Sequence, residues 1–226
     1  MARPTNYRAV VFDVEGTLMD CVPLVLESWR TTLTEAGHCF DLQQLQPYSG
    51  MDGGWMLEQL LPNEQSAERQ RLLKKQGDRY RNDFIERARP FPGVHELFAM
   101  LKRSGVAIAI ATTCKQDELQ FYDERMQVLK LADAIACGES VKHGKPDPAL
   151  LRHCLDTLQM SDSAHAVAVG DTPFDARAAT AIGMHSVGVR TGGFSDECLR
   201  QAGCNYLFDE ARQIGELWGL QGSPDT

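Results

Sequence analysis

The chain has 226 residues, 43% of them hydrophobic and 24% charged. That supports one full core or a core with a smaller companion, and it excludes a disordered chain. A formal net charge of −8 argues against a nucleic-acid partner, so an anionic ligand must be drawn in by local groups or a metal.

The first element in chain order is a strand over 8–14, "RAVVFDV", overlapping "AVVFDVEGTLMD" (9–20), where a run of β-formers stops at Asp13 and continues as Glu15-Gly16-Thr17. Residues 19–89 contain no strand pattern. "VPLVLESWRTTLTEAG" reads as a helix ending at Gly37, and "GGWMLEQLL" as a second helix. "NEQSAERQRLLKKQGDRYRNDFIERA" reads as a third, with Leu73, Tyr80, Phe84 and Ala88 on one stripe. The two prolines of "RPFPGV" (89–94) oppose helix continuation and mark a return to the sheet. Strands are then expected at 106–113, 165–171 and 185–190, with helices at 94–104, 117–130, 147–158 and 173–182 between and beside them. "CNYLFDE" reads as an edge strand, followed by a closing helix at 209–218 and a frayed tail "LQGSPDT".

The strand runs are continuous rather than alternating, as in parallel strands covered on both faces. The expected fold is therefore an α/β, doubly wound parallel sheet with a second, smaller all-helical domain: a core of 1–18 and 90–226 and a helical insert of 19–89. Seven cysteines without C-x-x-C spacing argue against a zinc site or a disulfide framework. No run reaches about 18 apolar residues, and "MARPTNYR" carries no apolar leader core. A soluble, cytoplasmic protein with free thiols and no membrane association is expected.

In open parallel sheets, ligands bind at the carboxyl ends of the strands. There the sequence places Asp13 and Glu15 after strand one, Thr112 and Thr113 after the next, and Asp171, Thr172 and Asp175 after the third; Lys145 lies in "HGKPDP". Carboxylates with neighbouring carbonyls suit a hard cation such as Mg2+, which would offset the repulsion between Asp13 and Asp171.

"DVEGT", "ATT", "GKPDP" and "GDTPFD", in this order, resemble the motifs of haloacid dehalogenase-like hydrolases, mostly Mg2+-dependent phosphatases. The helical insert resembles that superfamily's cap domain in its phosphoglycolate-phosphatase-like branch, as does "TGGFSDECLRQAG". The resemblance implies a phosphatase for a small phosphorylated metabolite. Asp13 would be the nucleophile and Thr112 would hydrogen-bond a phosphoryl oxygen. Lys145 would neutralise charge on both partners in the transfer. Mg2+ would be held by Asp13, Asp171 and the backbone carbonyl of Glu15, with Asp175 orienting a water on the metal. Monomer and homodimer both stay open.

The departure is at Glu15, where most of these phosphatases carry Asp as the acid and base. The extra methylene moves the carboxyl by about 1.5 Å, enough to matter for proton transfer unless the geometry adjusts. The "DxEGT" pattern also resembles the enolase-phosphatase branch, so Glu15 is expected to keep the acid–base role. Two alternatives stay open: a phosphonate or 2-haloacid hydrolase of the same superfamily, and a metal-binding regulatory protein of low turnover. Glu15 argues against the first, because those enzymes carry a small or aromatic residue there. Lys74 and Lys75 are expected far from the substrate loop. That loop is "PYSGMDGGW" (47–55), where Asp52 or the Gly53 and Gly54 amides are candidates to meet the leaving group.

Overall fold

A computed structural model describes residues 6–220. β1 (Ala9–Phe12) is followed by β2 (Met19–Asp20), then by α1 (Val22–Glu35), α2 (Leu42–Leu45), α3 (Gly53–Leu60) and α4 (Ser66–Arg79). The chain returns through β3 (Arg89–Pro90), which pairs antiparallel with β2 and brings the two ends of the helical stretch together. The remainder alternates: α5 (Val94–Arg103), β4 (Ala107–Ala111), α6 (Gln116–Met126), β5 (Ala134–Ala136), α7 (Ala149–Thr157), β6 (Ala166–Gly170), α8 (Pro173–Thr180), β7 (His185–Val189), α9 (Asp196–Ala202) and β8 (Tyr206–Phe208). Among the described residues, six strands form one sheet in the order β5-β4-β1-β6-β7-β8, and every pairing is parallel.

The alternation of side chains sorts this sheet by size. One face presents Val10, Phe12, Ile108, Ile110, Val167 and Val169, which pack with Leu97, Phe98 and Leu101 of α5. The other presents Ala9, Ala109, Ala111, Ala166 and Ala168 under α7 and α8. Methyl side chains let these two helices approach the strands closely. The helical stretch has its own apolar cluster of Trp29, Leu33, Leu45, Leu57 and Leu72.

Four sequence expectations are corrected, the first being that residues 19–89 hold no strand: β2 and the first residue of β3 lie within them, too short to show a pattern. The third insert helix is not continuous: α4 gives way to a π-turn at Tyr80–Phe84 and a 3-10 turn at Ile85–Arg87. The buried stripe of α4 runs through Leu72 and Gln76, and Leu73 is 37% exposed. A polar residue occupies the stripe because Gln76 Nε2 donates to Ser28 Oγ at 2.8 Å, so its burial does not leave the amide unpaired. β5 was not anticipated: the helix expected over 117–130 stops at Met126, and Ala134–Ala136 joins the sheet as an edge strand. The closing helix at 209–218 is instead a 3-10 segment, Ala211–Trp218. The tail expected to fray lies, from residue 221 onward, outside the described residues.

Phe12 and Phe98 stack at 4.8 Å between ring centroids, and both are fully buried. Phe98→Ala is expected to lower the unfolding free energy by about 3–5 kcal/mol, read as a fall in the urea midpoint at unchanged slope.

Candidate active site

β4, β1 and β6 are adjacent and parallel, so the residues that follow them emerge side by side on one rim. These are Thr112, Asp13 and Asp171. The Asp13 amide donates to Val169 O at 2.9 Å, which extends the β1–β6 ladder to Asp13. The loop between β5 and α7 brings in Lys145, 3% exposed, whose ammonium donates to Asp13 Oδ1 and, at 2.7 Å, to Asp175 Oδ1.

Asp175 reaches this point from the first turn of α8. Its Oδ2 accepts from the Thr172 amide at 3.1 Å and the Thr172 hydroxyl at 2.7 Å, while Thr172 Oγ1 accepts from the Phe174 amide at 3.2 Å. This reciprocal capping box fixes the carboxylate by helix geometry as well as by charge. Gly170 makes room for it, since a Cβ there would overlap the Asp175 carboxyl.

Asp171 is fully buried. Thr17 donates to its Oδ1 at 2.9 Å, with Asp13 Oδ2 at 3.5 Å from the same hydroxyl, and Oδ2 of Asp171 is buried without a partner. Gly16, at φ +82°, and Gly192 flank that orphaned oxygen, and a Cβ on either would collide with it. Asp13, Asp171 and Asp175 each offer an oxygen, all within 4.8 Å of one another. With all three carboxylates ionised, one ammonium would leave two negative charges uncompensated in a buried space. Burial pushes the Asp13 carboxyl up to about 6 against the pull of Lys145. Burial, with Asp13 and Asp175 as neighbours, raises Asp171 further. A buried oxygen without a donor, a glycine cradle and an all-oxygen donor set fit a hard divalent cation.

Glu15 stands apart. Its carboxylate is not among the three clustered groups. The side chain lines a pocket and its Oε1 accepts from Tyr122 OH at 2.9 Å. Burial, then the negative charges of Glu118 and Asp13, push it up to about 8. Thr112 is fully buried and its hydroxyl accepts from the Cys114 amide at 3.2 Å, while Thr113 faces the pocket.

The pocket, about 440 Å3, lies between the helical stretch and the sheet rim. Trp29, Met51, Met56 and Leu73 give it an apolar wall, and Asp52, Glu118 and Glu139 add acidic groups. Lys74 also lines it, which corrects the expectation that this residue lies far away; its ammonium pairs with Asp78 at 2.7 Å. Loop 47–55 is tied down from both sides. The Asp52 amide donates to Lys145 O at 3.1 Å, and just upstream Gln46 Nε2 donates to Gly192 O at 2.7 Å. The Gly54 amide donates to Asp52 Oδ1 at 3.0 Å, as part of the N-cap of α3.

The structure adds Thr17 and Tyr122 to the residues around the site. Thr17 sits inside the "DVEGT" motif, so a signal existed. Tyr122 is a lone tyrosine in a helix, with none.

The description "Haloacid dehalogenase-like hydrolase" matches residues 10–189. A phosphoglycolate phosphatase of Mesorhizobium japonicum is 31% identical over 208 residues, 89% of this chain and 88% of that one. One from Neisseria meningitidis is 33% identical over 203 residues, covering 86% and 84%. A hydrolase from Pseudomonas syringae shares the fold at TM-score 0.86 and 23% identity, covering 92% of this chain and 96% of its own.

If the carboxylates repel as the geometry requires, Asp171→Asn relieves the metal-free protein. Its melting temperature in EDTA is expected to rise by about 2–4 °C. The further rise that wild type shows on adding a divalent cation is expected to disappear. Thermal melts with and without the ion check both.

Proposed function

Because the chain belongs to the haloacid dehalogenase-like hydrolase family, we propose that it is a Mg2+-dependent phosphatase acting on a small phosphorylated metabolite through a phosphorylated Asp13. The observation that carries this reading is the buried contact of Asp13 with Lys145 beside two further carboxylates, one with an orphaned oxygen.

In the first half-reaction an Asp13 oxygen bonds to phosphorus as the bond from phosphorus to the leaving oxygen breaks, and the Glu15 carboxyl gives that oxygen its proton. In the second, the oxygen of a water bonds to phosphorus, Glu15 takes the proton, and the Asp13–phosphorus bond breaks to release inorganic phosphate. Lys145 keeps Asp13 aligned and offsets charge gathering on the phosphoryl oxygens, and the Thr112 hydroxyl donates to one of them. Mg2+, held by Asp13, Asp171 and the Glu15 carbonyl with Asp175 in support, would supply the remaining charge compensation. Glu15 at about 8 is a carboxyl held in its acid form near neutral pH, which suits protonation of a basic alkoxide. This supports a monoesterase over a phosphonate or haloacid hydrolase, and the pairing of Lys74 with Asp78 weighs against its serving as an amine nucleophile.

The pocket supports a finer reading. With Glu15 in its acid form, Asp52, Glu118 and Glu139 still outnumber Lys74 and Lys115 along its wall; Glu118 is paired with Arg81 and Lys74 with Asp78, which leaves Asp52 and Glu139 against Lys115. A carboxylate on the leaving group would meet net like charge there. At about 440 Å3 the space exceeds what a two-carbon acid fills. The favoured leaving group is a neutral, partly apolar alcohol rather than glycolate.

Asp13→Asn is expected to abolish phosphate release from an aryl phosphate, and EDTA to inhibit wild type; full activity in either case removes the reading. Glu15→Gln is expected to slow an alkyl phosphate by about 10²-fold or more. In a phosphate-release panel, kcat/KM for 2-phosphoglycolate is expected to fall about tenfold below that of a neutral, partly apolar phosphomonoester, one like charge in partly wet surroundings being worth about 1.4 kcal/mol.

A further inference from the structure

The reaction above does not use two buried tyrosines that stand behind its acid. Tyr122, on α6, is fully buried and donates its hydroxyl proton to Glu15 Oε1 at 2.9 Å. Tyr80, 2% exposed at the end of α4, places its hydroxyl 2.6 Å from that of Tyr122. The Tyr122 proton is committed to Glu15, so Tyr80 is the donor in the second bond. A chain of donors therefore runs from Tyr80 to Tyr122 to Glu15, from the helical stretch into the core.

The same face of α6 carries two ion pairs to the same segment. Arg81 Nη1 meets Glu118 Oε1 at 3.1 Å, and Arg125 Nη2 meets Glu86 Oε2 at 3.0 Å. Residues 118, 122 and 125 recur at helical spacing, so one face of α6 receives Tyr80, Arg81 and Glu86 together. The segment they come from is the π-turn and the 3-10 turn after it, where the helix leaves regular geometry.

A glutamate has one more rotatable bond than the aspartate usual at this position, so its carboxyl needs more restraint to meet a leaving oxygen. Tyr122 supplies it at Oε1. Among the described residues Oε2 has no hydrogen-bond partner, and Glu15 borders the pocket. We propose that Tyr122, steadied by Tyr80, is a positioning residue that holds Glu15 with its second oxygen toward the leaving group, so that the acid is in place only while the helical stretch is seated on α6. The proposal rests on the reading of Glu15 as the acid that protonates the leaving group.

The test compares kcat/KM with Mg2+ on two substrates of similar bulk. 4-Nitrophenyl phosphate expels a stable anion that needs no proton. 2-Phenylethyl phosphate expels a strongly basic alkoxide that does. Because kcat/KM reports the steps up to the first irreversible one, it isolates departure of the leaving group. Tyr122→Phe keeps the ring and removes only the hydroxyl. It is expected to cost about tenfold or more on 2-phenylethyl phosphate and less than about twofold on 4-nitrophenyl phosphate, the loss of the one hydrogen bond that orients the acid. Tyr80→Phe is expected to give the same pattern at smaller size. In a Glu15→Gln background, Tyr122→Phe is expected to add nothing, because the carboxyl it positions is gone.

An equal loss on both substrates would make the hydroxyl a structural prop and overturn the proposal, and so would no loss on either. Additive losses in the double variant would do the same. If wild type turns over neither substrate with Mg2+, the phosphatase reading itself fails and takes this proposal with it.

Discussion

Three carboxylates confined at the ends of neighbouring strands, with one ammonium among them, set the terms for the rest of this molecule. Like charges so close in a buried space are unfavourable unless something compensates them. Lys145 does part of this, and its own charged state is the result: burial works against it, but Asp13 and Asp175 outweigh burial and hold it protonated. The hydroxyls of Thr17 and Thr172 take two more carboxylate oxygens. What is left over is one oxygen of Asp171, enclosed by glycines. The arrangement is costly as a piece of folding and useful as a receptor for a cation, and the sheet tolerates it because its interior is otherwise almost wholly apolar.

The parts of this that could be read in the sequence share a physical cause. Parallel strands buried on both faces are continuous apolar runs, so β1, β4, β6 and β7 stood out, and the polar residues that end them stood out by contrast. β5 has only Ala-Ile-Ala to show, with Ile135 39% exposed, and so short a run carries no strand signal. The stripe of α4 is hidden from the sequence for the opposite reason. Gln76 is a polar side chain in a buried slot, satisfied by Ser28 from another helix, and no periodicity of apolar residues can reveal a hydrogen bond between positions 48 apart. Tyr122 is the same case at the site. Its partners are at 15 and 80, and only the fold makes them neighbours.

The helical stretch is attached to the core in more than one way. The β2–β3 ribbon joins its ends, loop 47–55 bonds to Lys145 and its lead-in to Gly192, and the segment after α4 lies on α6. Its apolar cluster is separate from the two that cover the sheet. Its far end is not separate: Tyr80, Ile85 and Ala88 join the larger cluster of the core, so the segment after α4 is seated by apolar packing as well as by polar contacts.

The alanine-lined face of the sheet carries a consequence for variation in this chain. Ala168 and Ala166 lie under the helix whose first turn presents Asp175. A bulkier residue at either place would lift that helix by about the width of a methylene group, on the order of 1.5 Å, and the carboxylate would travel with it. Proton and phosphoryl transfer are sensitive to displacements of that size. Positions far from any substrate atom thus govern reactivity through spacing alone, and smallness there is a chemical requirement as much as a packing one.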